Sequence, residues 1–94
     1  MATFSVYILL CNDGSFYTGH TDDLEKRMHE HQSGLYEGYT SSRLPVVLVF
    51  SATCSSRYDA LAYEIKIKKW SRKKKEALIA SDWKALSEAA KKNF

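Results

Sequence analysis

The sequence predicts one mixed α/β (α+β) domain, a three-stranded, mainly antiparallel sheet flanked by helices in the order β-β-α-β-α-α. Three observations carry this. Two short apolar runs, Phe4 to Cys11 and Phe16 to Thr21, flank a turn built around Asp13-Gly14. A third run, Val46 to Phe50, is apolar and strongly β-branched. The remaining segments open on helix-capping residues. Ninety-four residues suffice for one hydrophobic core and not for two. The 45% hydrophobic and 13% aromatic content excludes a disordered chain. The single domain is expected over residues 1–94, with its core at about 4–80 and a helical C-terminal tail over 81–94.

The hairpin admits two registers. If Asp13-Gly14 is a two-residue turn, Tyr17 faces Leu10, and Tyr7 points to the opposite side of the sheet. If the loop is Asn12-Asp13-Gly14 with Gly14 left-handed, Tyr17 faces Leu9 and Tyr7 faces Gly19. Both phenols then share one face, and Gly19 leaves space beside Tyr7. A shared site needs the second register; purely structural tyrosines need neither.

After the hairpin, Thr21-Asp22-Asp23 supplies acceptors for a helix start. The helix is expected from about Asp23 to Gln32, with Gly34 as its stop. Leu35 to Leu44 reads as a polar, tyrosine-containing loop closed by Pro45. Val46 to Phe50 reads as a strand buried on both faces. Ser56-Arg57-Tyr58-Asp59 has capping-box form and opens a second helix to about Lys69. Its main apolar stripe is Tyr58, Leu61, Ala62 and Ile65, beside a second row of Ala60, Leu61, Glu64 and Ile67. Ser71 caps a third, lysine-rich helix. An Ala-rich segment from Asp82 to about Lys91, anchored by Trp83 and Leu86, offers a docking surface for a protein partner.

No apolar run approaches the roughly 20 residues that span a bilayer, and no signal peptide is seen, so a cytoplasmic protein is expected. Cys11 and Cys54 lack CxxC spacing and clustered histidines; they read as free, small apolar residues, with neither zinc nor a disulfide. The net charge is +3, yet seven of the fourteen basic residues fall between Lys66 and Lys75. Such a patch attracts polyanions, nucleic acid above all; the plainer reading is a solvated helix end.

Polar residues on apolar faces are the sharper clues. At 100° per residue, Arg27 and His31 fall on the same side of the first helix as Leu24 and Met28. Glu64 sits on an apolar-flanked row of the second. The structural alternatives are a snorkelling Arg27, a satisfied edge His31 and an ordinary Glu64–Lys68 helix pair. The functional reading makes Glu64 a hard oxygen ligand for a divalent cation.

Tyr7, Tyr17-Thr18-Gly19, Arg27, His31 and Glu64, in this order and spacing, resemble the GIY-YIG nuclease domain. The resemblance covers about residues 4 to 80 and extends to Tyr39-Thr40 and Arg43 to Pro45. The nearest likeness is to the small stand-alone bacterial members of the YhbQ type. Ser5-Val6-Tyr7 and Tyr17-Thr18-Gly19 replace Gly-Ile-Tyr and Tyr-Ile-Gly, and both keep the tyrosine. The resemblance implies that one of the two tyrosines, Tyr7 and Tyr17, helps activate or orient a water; a free phenol is a poor base at neutral pH, and His31 is a candidate for assisting it. Arg27 stabilises the phosphate, Gly19 is structural in the site, and Glu64 holds one Mg²⁺ or Mn²⁺. The implied reaction is phosphodiester hydrolysis in DNA. Lys66, Lys68, Arg72, Lys73 and Lys74 are the expected nucleic-acid contacts, giving weak, salt-dependent binding with little sequence preference. The family's late asparagine has only Asn93 as a counterpart, which is not assigned. A catalytically weak nucleic-acid-binding or accessory module of the same fold is the alternative.

Overall fold

The structure, a computed structural model, describes residues 3–80. Three strands, β1 (Phe4–Leu10), β2 (Phe16–Thr21) and β3 (Val47–Cys54), combine with three helices, α1 (Leu24–Gln32), α2 (Arg57–Lys68) and α3 (Arg72–Ile79). The order is β-β-α-β-α-α, as expected, and the sheet runs β2-β1-β3 with both pairings antiparallel. The helical tail expected over 81–94, with Trp83, Leu86 and Asn93, lies outside the described residues.

Strand β1 is central and buried on both faces. Alternation sends Val6 and Ile8 one way, where they pack on Ile67 of α2 and Leu78 of α3. Tyr7 and Leu9 point the other way, into a cluster with Cys11 and Val46 that Leu24 and Met28 of α1 cover. The sheet therefore has a core on each side. Cys11 and Cys54 are both free.

The hairpin takes the register that pairs Tyr7 with Gly19 and Leu9 with Tyr17. The Cys11 N–H donates to the Ser15 carbonyl at 2.9 Å and closes a three-residue loop. Gly14 there has φ +84°, a conformation that costs a side-chain-bearing residue but not glycine. Asp13 holds the turn by accepting from the Ser15 N–H, and Arg43 Nε reaches the same carboxylate at 2.9 Å. The helix starts behave as their capping residues require. Asp23, Ser56 and Ser71 accept from the N–H groups of Lys26, Asp59 and Lys74.

Two expectations are corrected. The third strand is longer than Val46 to Phe50 and is an edge strand, pairing only with β1. Val47, 55% exposed, and Leu48 face outward rather than lying buried on both sides. A β-branched apolar run does not by itself distinguish a central strand from an edge strand. On α2 the stripe of Tyr58, Leu61 and Ile65 is exposed, at 79%, 40% and 46%. The second row packs instead, with Ala60 and Ile67 fully buried and Glu64 turned inward. Leu61 belongs to both rows, so helical period alone cannot choose. Contacts of Ile67 with β1 and of Glu64 with β2 make the choice.

Candidate active site

The hairpin register puts Tyr7, Tyr17 and Gly19 on the α1 side of the sheet. A Cβ on Gly19 would lie 2.6 Å from Tyr7 Oη, so the phenol occupies the space that glycine leaves. The Tyr7 and Tyr17 rings are 6.3 Å apart. Leu24 and Met28 seat α1 on the same face, which aims Arg27 and His31 at the phenols.

His31 is fully buried and bridges two elements. Its Nε2 lies 3.0 Å from Tyr7 Oη and its Nδ1 2.7 Å from Oγ1 of the buried Thr40. Tyr36 closes the wall, with its ring 4.3 Å from that of His31 and its hydroxyl 3.5 Å from Tyr17 Oη. The Arg27 guanidinium sits 4.7 Å above the Tyr36 ring and pairs with Glu30 at 3.3 Å.

Burial pushes the Tyr7 hydroxyl up to about 12, although the neighbouring Arg27 pulls it partly back. Tyr17 is raised further, by burial and then by its contact with Tyr36. His31 is lowered from the ordinary 6.5, first by burial and then by the Arg27 charge. At neutral pH the site thus contains two protonated phenols, a neutral imidazole and a guanidinium.

Glu64 approaches from α2, on the other face of the sheet. It reaches the site at the edge strand β2, where its Oε1 lies 2.9 Å from His20 Nδ1. Its Oε2 lies 3.2 Å from Lys68 Nζ. A cleft of about 310 Å³ joins these groups to Tyr7, Tyr17, Gly19 and Arg27, with Tyr36 and Arg57 on its walls. A larger groove of about 870 Å³ runs between α1 and Leu48, but none of the predicted site residues line it.

Among the described residues no three His, Cys, Asp or Glu side chains are grouped to hold a metal ion. The donor set is therefore unlike a zinc site, which needs three or four protein ligands. It does fit a hard cation that takes one carboxylate oxygen and keeps most of its waters, as Mg²⁺ and Mn²⁺ do.

Six of the predicted residues, Tyr7, Tyr17, Gly19, Arg27, His31 and Glu64, thus surround one cleft or its wall. The basic set does not converge there. Lys68 alone of the five lines the cleft. Arg72 lies over the Phe16 ring at 4.3 Å and Lys74 over Trp70 at 4.4 Å. Lys66 lines a separate hollow beside Trp70, and Lys73 is exposed. Sequence reading gave no role to His20, Tyr36, Thr40 or Arg57. His20 follows Gly19 directly, but strand alternation sends it to the opposite face, where only the fold reveals Glu64. Tyr36 and Thr40 sit in an aperiodic loop, and Arg57 was legible only as a helix start.

This arrangement, a tyrosine hairpin feeding an arginine-bearing helix with a carboxylate from the next helix, defines a GIY-YIG catalytic domain. The model of that domain matches residues 3–77, and the chain belongs to the GIY-YIG family, a nuclease family. It is similar to UPF0213 proteins. The relative from Bacillus pumilus is 42% identical over 73 residues, covering 78% of this chain and 74% of that one. The relative from Halobacterium salinarum is 42% identical over 74 residues, covering 79% and 96%. Two solution NMR structures share the fold. The UPF0213 protein BH0048 from Bacillus halodurans has a TM-score of 0.55 and 42% identity, over 83% of each chain. Protein EF2693 from E. faecalis has a TM-score of 0.59 and 38% identity, over 86% of each. No helix of the described residues is long and apolar enough to cross a membrane.

Proposed function

We propose that this chain is a divalent-metal-dependent endonuclease that hydrolyses phosphodiester bonds in DNA in the cytoplasm. The observation that carries the reading is the Tyr7–His31 hydrogen bond, made over Gly19 in a cleft that also holds Arg27 and Glu64. Cleavage needs a deprotonated water and stabilisation of charge on the phosphate. A phenol with a pKa near 12 is no base at neutral pH unless it can pass its own proton on. With Nδ1–H donating to Thr40 Oγ1, His31 Nε2 is free to accept from the Tyr7 hydroxyl. Tyr7 can then take a proton from water as it gives its own to His31. Arg27, half-exposed in the same cleft, is available to a phosphate oxygen. Tyr17 orients the water from the neighbouring strand, β2. One Mg²⁺ or Mn²⁺ held through Glu64 would neutralise charge on the scissile phosphate and the leaving oxygen.

The test is cleavage of plasmid, flap and single-stranded DNA with Mg²⁺ or Mn²⁺ by wild type and Glu64→Ala. Cleavage by wild type that is lost in the variant is expected; equal inactivity on every substrate sinks the catalytic reading. A second reading, a nucleic-acid-binding module with little catalysis, is favoured by one observation. Both Glu64 oxygens already have protein partners, His20 and Lys68. DNA binding that survives Tyr17→Phe but falls on replacing Lys73 and Lys74, with no cleavage by wild type, would select it.

A further inference from the structure

We infer that Lys68 is a cation surrogate for Glu64. It neutralises the carboxylate in the free protein and exchanges it for a substrate phosphate when a divalent ion binds, so metal and nucleic acid bind cooperatively. The inference rests on the reading of Glu64 as a metal ligand.

Glu64 is sheltered, with its side chain 13% exposed, and a carboxylate removed from water needs positive partners. His20 holds Oε1, and Lys68, one helical turn further along α2, holds Oε2 at 3.2 Å. A divalent ion on the same carboxylate would stand a few ångströms from the Lys68 ammonium. That is well inside the Debye length of about 8–10 Å, so salt would not screen the repulsion. The two partners of Glu64 differ in freedom to leave. The His20 side chain is 20% exposed and comes from a sheet strand. Lys68 is 53% exposed, ends α2, and carries its charge on a flexible stem.

Lys68 is therefore the movable member of the cluster. Released from Glu64, its ammonium stays at the wall of the cleft that also contains Arg27 and Arg57. A metal ion arriving alone would leave that cleft with an excess of positive charge. A phosphodiester arriving with it supplies the missing negative charge and a new partner for Lys68. Of the five basic residues read as nucleic-acid contacts, Lys68 alone has this position; the others lie away from the cleft.

The test measures Mn²⁺ binding to the protein without nucleic acid, from the electron paramagnetic resonance signal of free Mn²⁺. Wild type, Lys68→Met, Lys68→Arg and Glu64→Gln are compared. Lys68→Met is expected to bind Mn²⁺ roughly three- to tenfold more tightly than wild type. With Mn²⁺ present, wild type is expected to bind a short uncleavable DNA duplex more tightly than in EDTA, and Lys68→Met is expected to lose most of that gain, with the salt-dependence slope in Mn²⁺ reduced by about one. Lys68→Arg should return both properties toward wild type. An ordinary helix pair would let Lys68→Met tighten Mn²⁺ binding without removing the Mn²⁺-dependent gain in DNA affinity. Unchanged or weaker Mn²⁺ binding in Lys68→Met, still abolished by Glu64→Gln, overturns the surrogate role and leaves Glu64 as the ligand. No Glu64-dependent Mn²⁺ binding in either protein overturns both.

Discussion

Tyr7 and Gly19 are cross-strand partners, and the phenol of the first occupies the space that a side chain on the second would fill. A Cβ at position 19 would meet Tyr7 Oη at 2.6 Å and Cζ at 2.8 Å, closer than real contacts allow. Tyr7 is fully buried and tied to His31, so it has little room to retreat. Gly19→Ala is expected to destabilise the fold by about 1–3 kcal/mol through overpacking. It should also displace the phenol from His31. Urea unfolding gives the first quantity, and the chemical shifts of the His31 ring report the second.

Tyr7→Phe removes only the hydroxyl. The His31 Nε2 then loses its partner in a buried site, at an expected cost of about 1–3 kcal/mol. If Tyr7 relays a proton, cleavage should fall by about 10²–10⁴-fold while the domain stays folded. Single-turnover cleavage beside urea unfolding separates these effects. A variant that cuts at the wild-type rate would remove Tyr7 from the chemistry.

The alkaline limb of stability should carry the same signature. The Tyr7 pKa is raised from 10.0 to about 12 in the fold, so the folded state favours the protonated phenol. The stabilisation is complete below pH 10 and is lost as pH rises toward 12. Tyr7→Phe should flatten part of that decline. Ultraviolet titration should show one late-ionising phenol fewer in the variant.

The acid limb belongs to His31. Its pKa is lowered below 6.5 in the fold, so the unfolded chain binds the proton more readily. Its contribution is present above pH 6.5 and is lost as pH falls below that value. Asp13 is lowered from 3.8 and acts only in stronger acid. The urea midpoint should therefore drop between pH 7 and 5, and His31→Gln should flatten that drop relative to wild type.

Arg27 contributes to the site from the sheet-facing side of α1, where it is partly buried, pairing with Glu30 and resting on Tyr36. Arg27→Ala is expected to cost about 0.5–1.5 kcal/mol, from the lost ion pair and the lost cation–π contact with Tyr36. Cleavage should fall by about 10²-fold if its guanidinium meets the phosphate. Arg27→Lys should recover only part of that loss, because an ammonium cannot form the same bidentate contact.

What was legible in the sequence was local. Asp13-Gly14, Asp23, Ser56 and Ser71 each act within a few residues, and the structure uses them as turn and caps. The pairing of Arg27 and His31 on the Leu24–Met28 side of α1 was legible for the same reason, since one helix period relates them. The two misreadings were choices of partner. Val46 to Phe50 had the composition of a central strand but lies at an edge, and α2 offered two apolar rows of which the less apolar is buried. His20, Tyr36 and Thr40 left no periodic signal, because their roles come from residues 44, 19 and 9 positions away.

The sequence by itself determined the order of elements, the hairpin, the helix starts and the set of chemically unusual side chains. These depend on turn chemistry, capping and periodicity, all settled between near neighbours. Tertiary structure decided which hairpin register holds, which face of α2 turns inward, and that Glu64 meets the tyrosines at the edge of β2. Those outcomes depend on burying both faces of β1 at once, so no single segment encodes them. The cleft takes its form because Gly19, on an edge strand, makes room for the Tyr7 phenol and because two helices on opposite faces of the sheet both reach that edge.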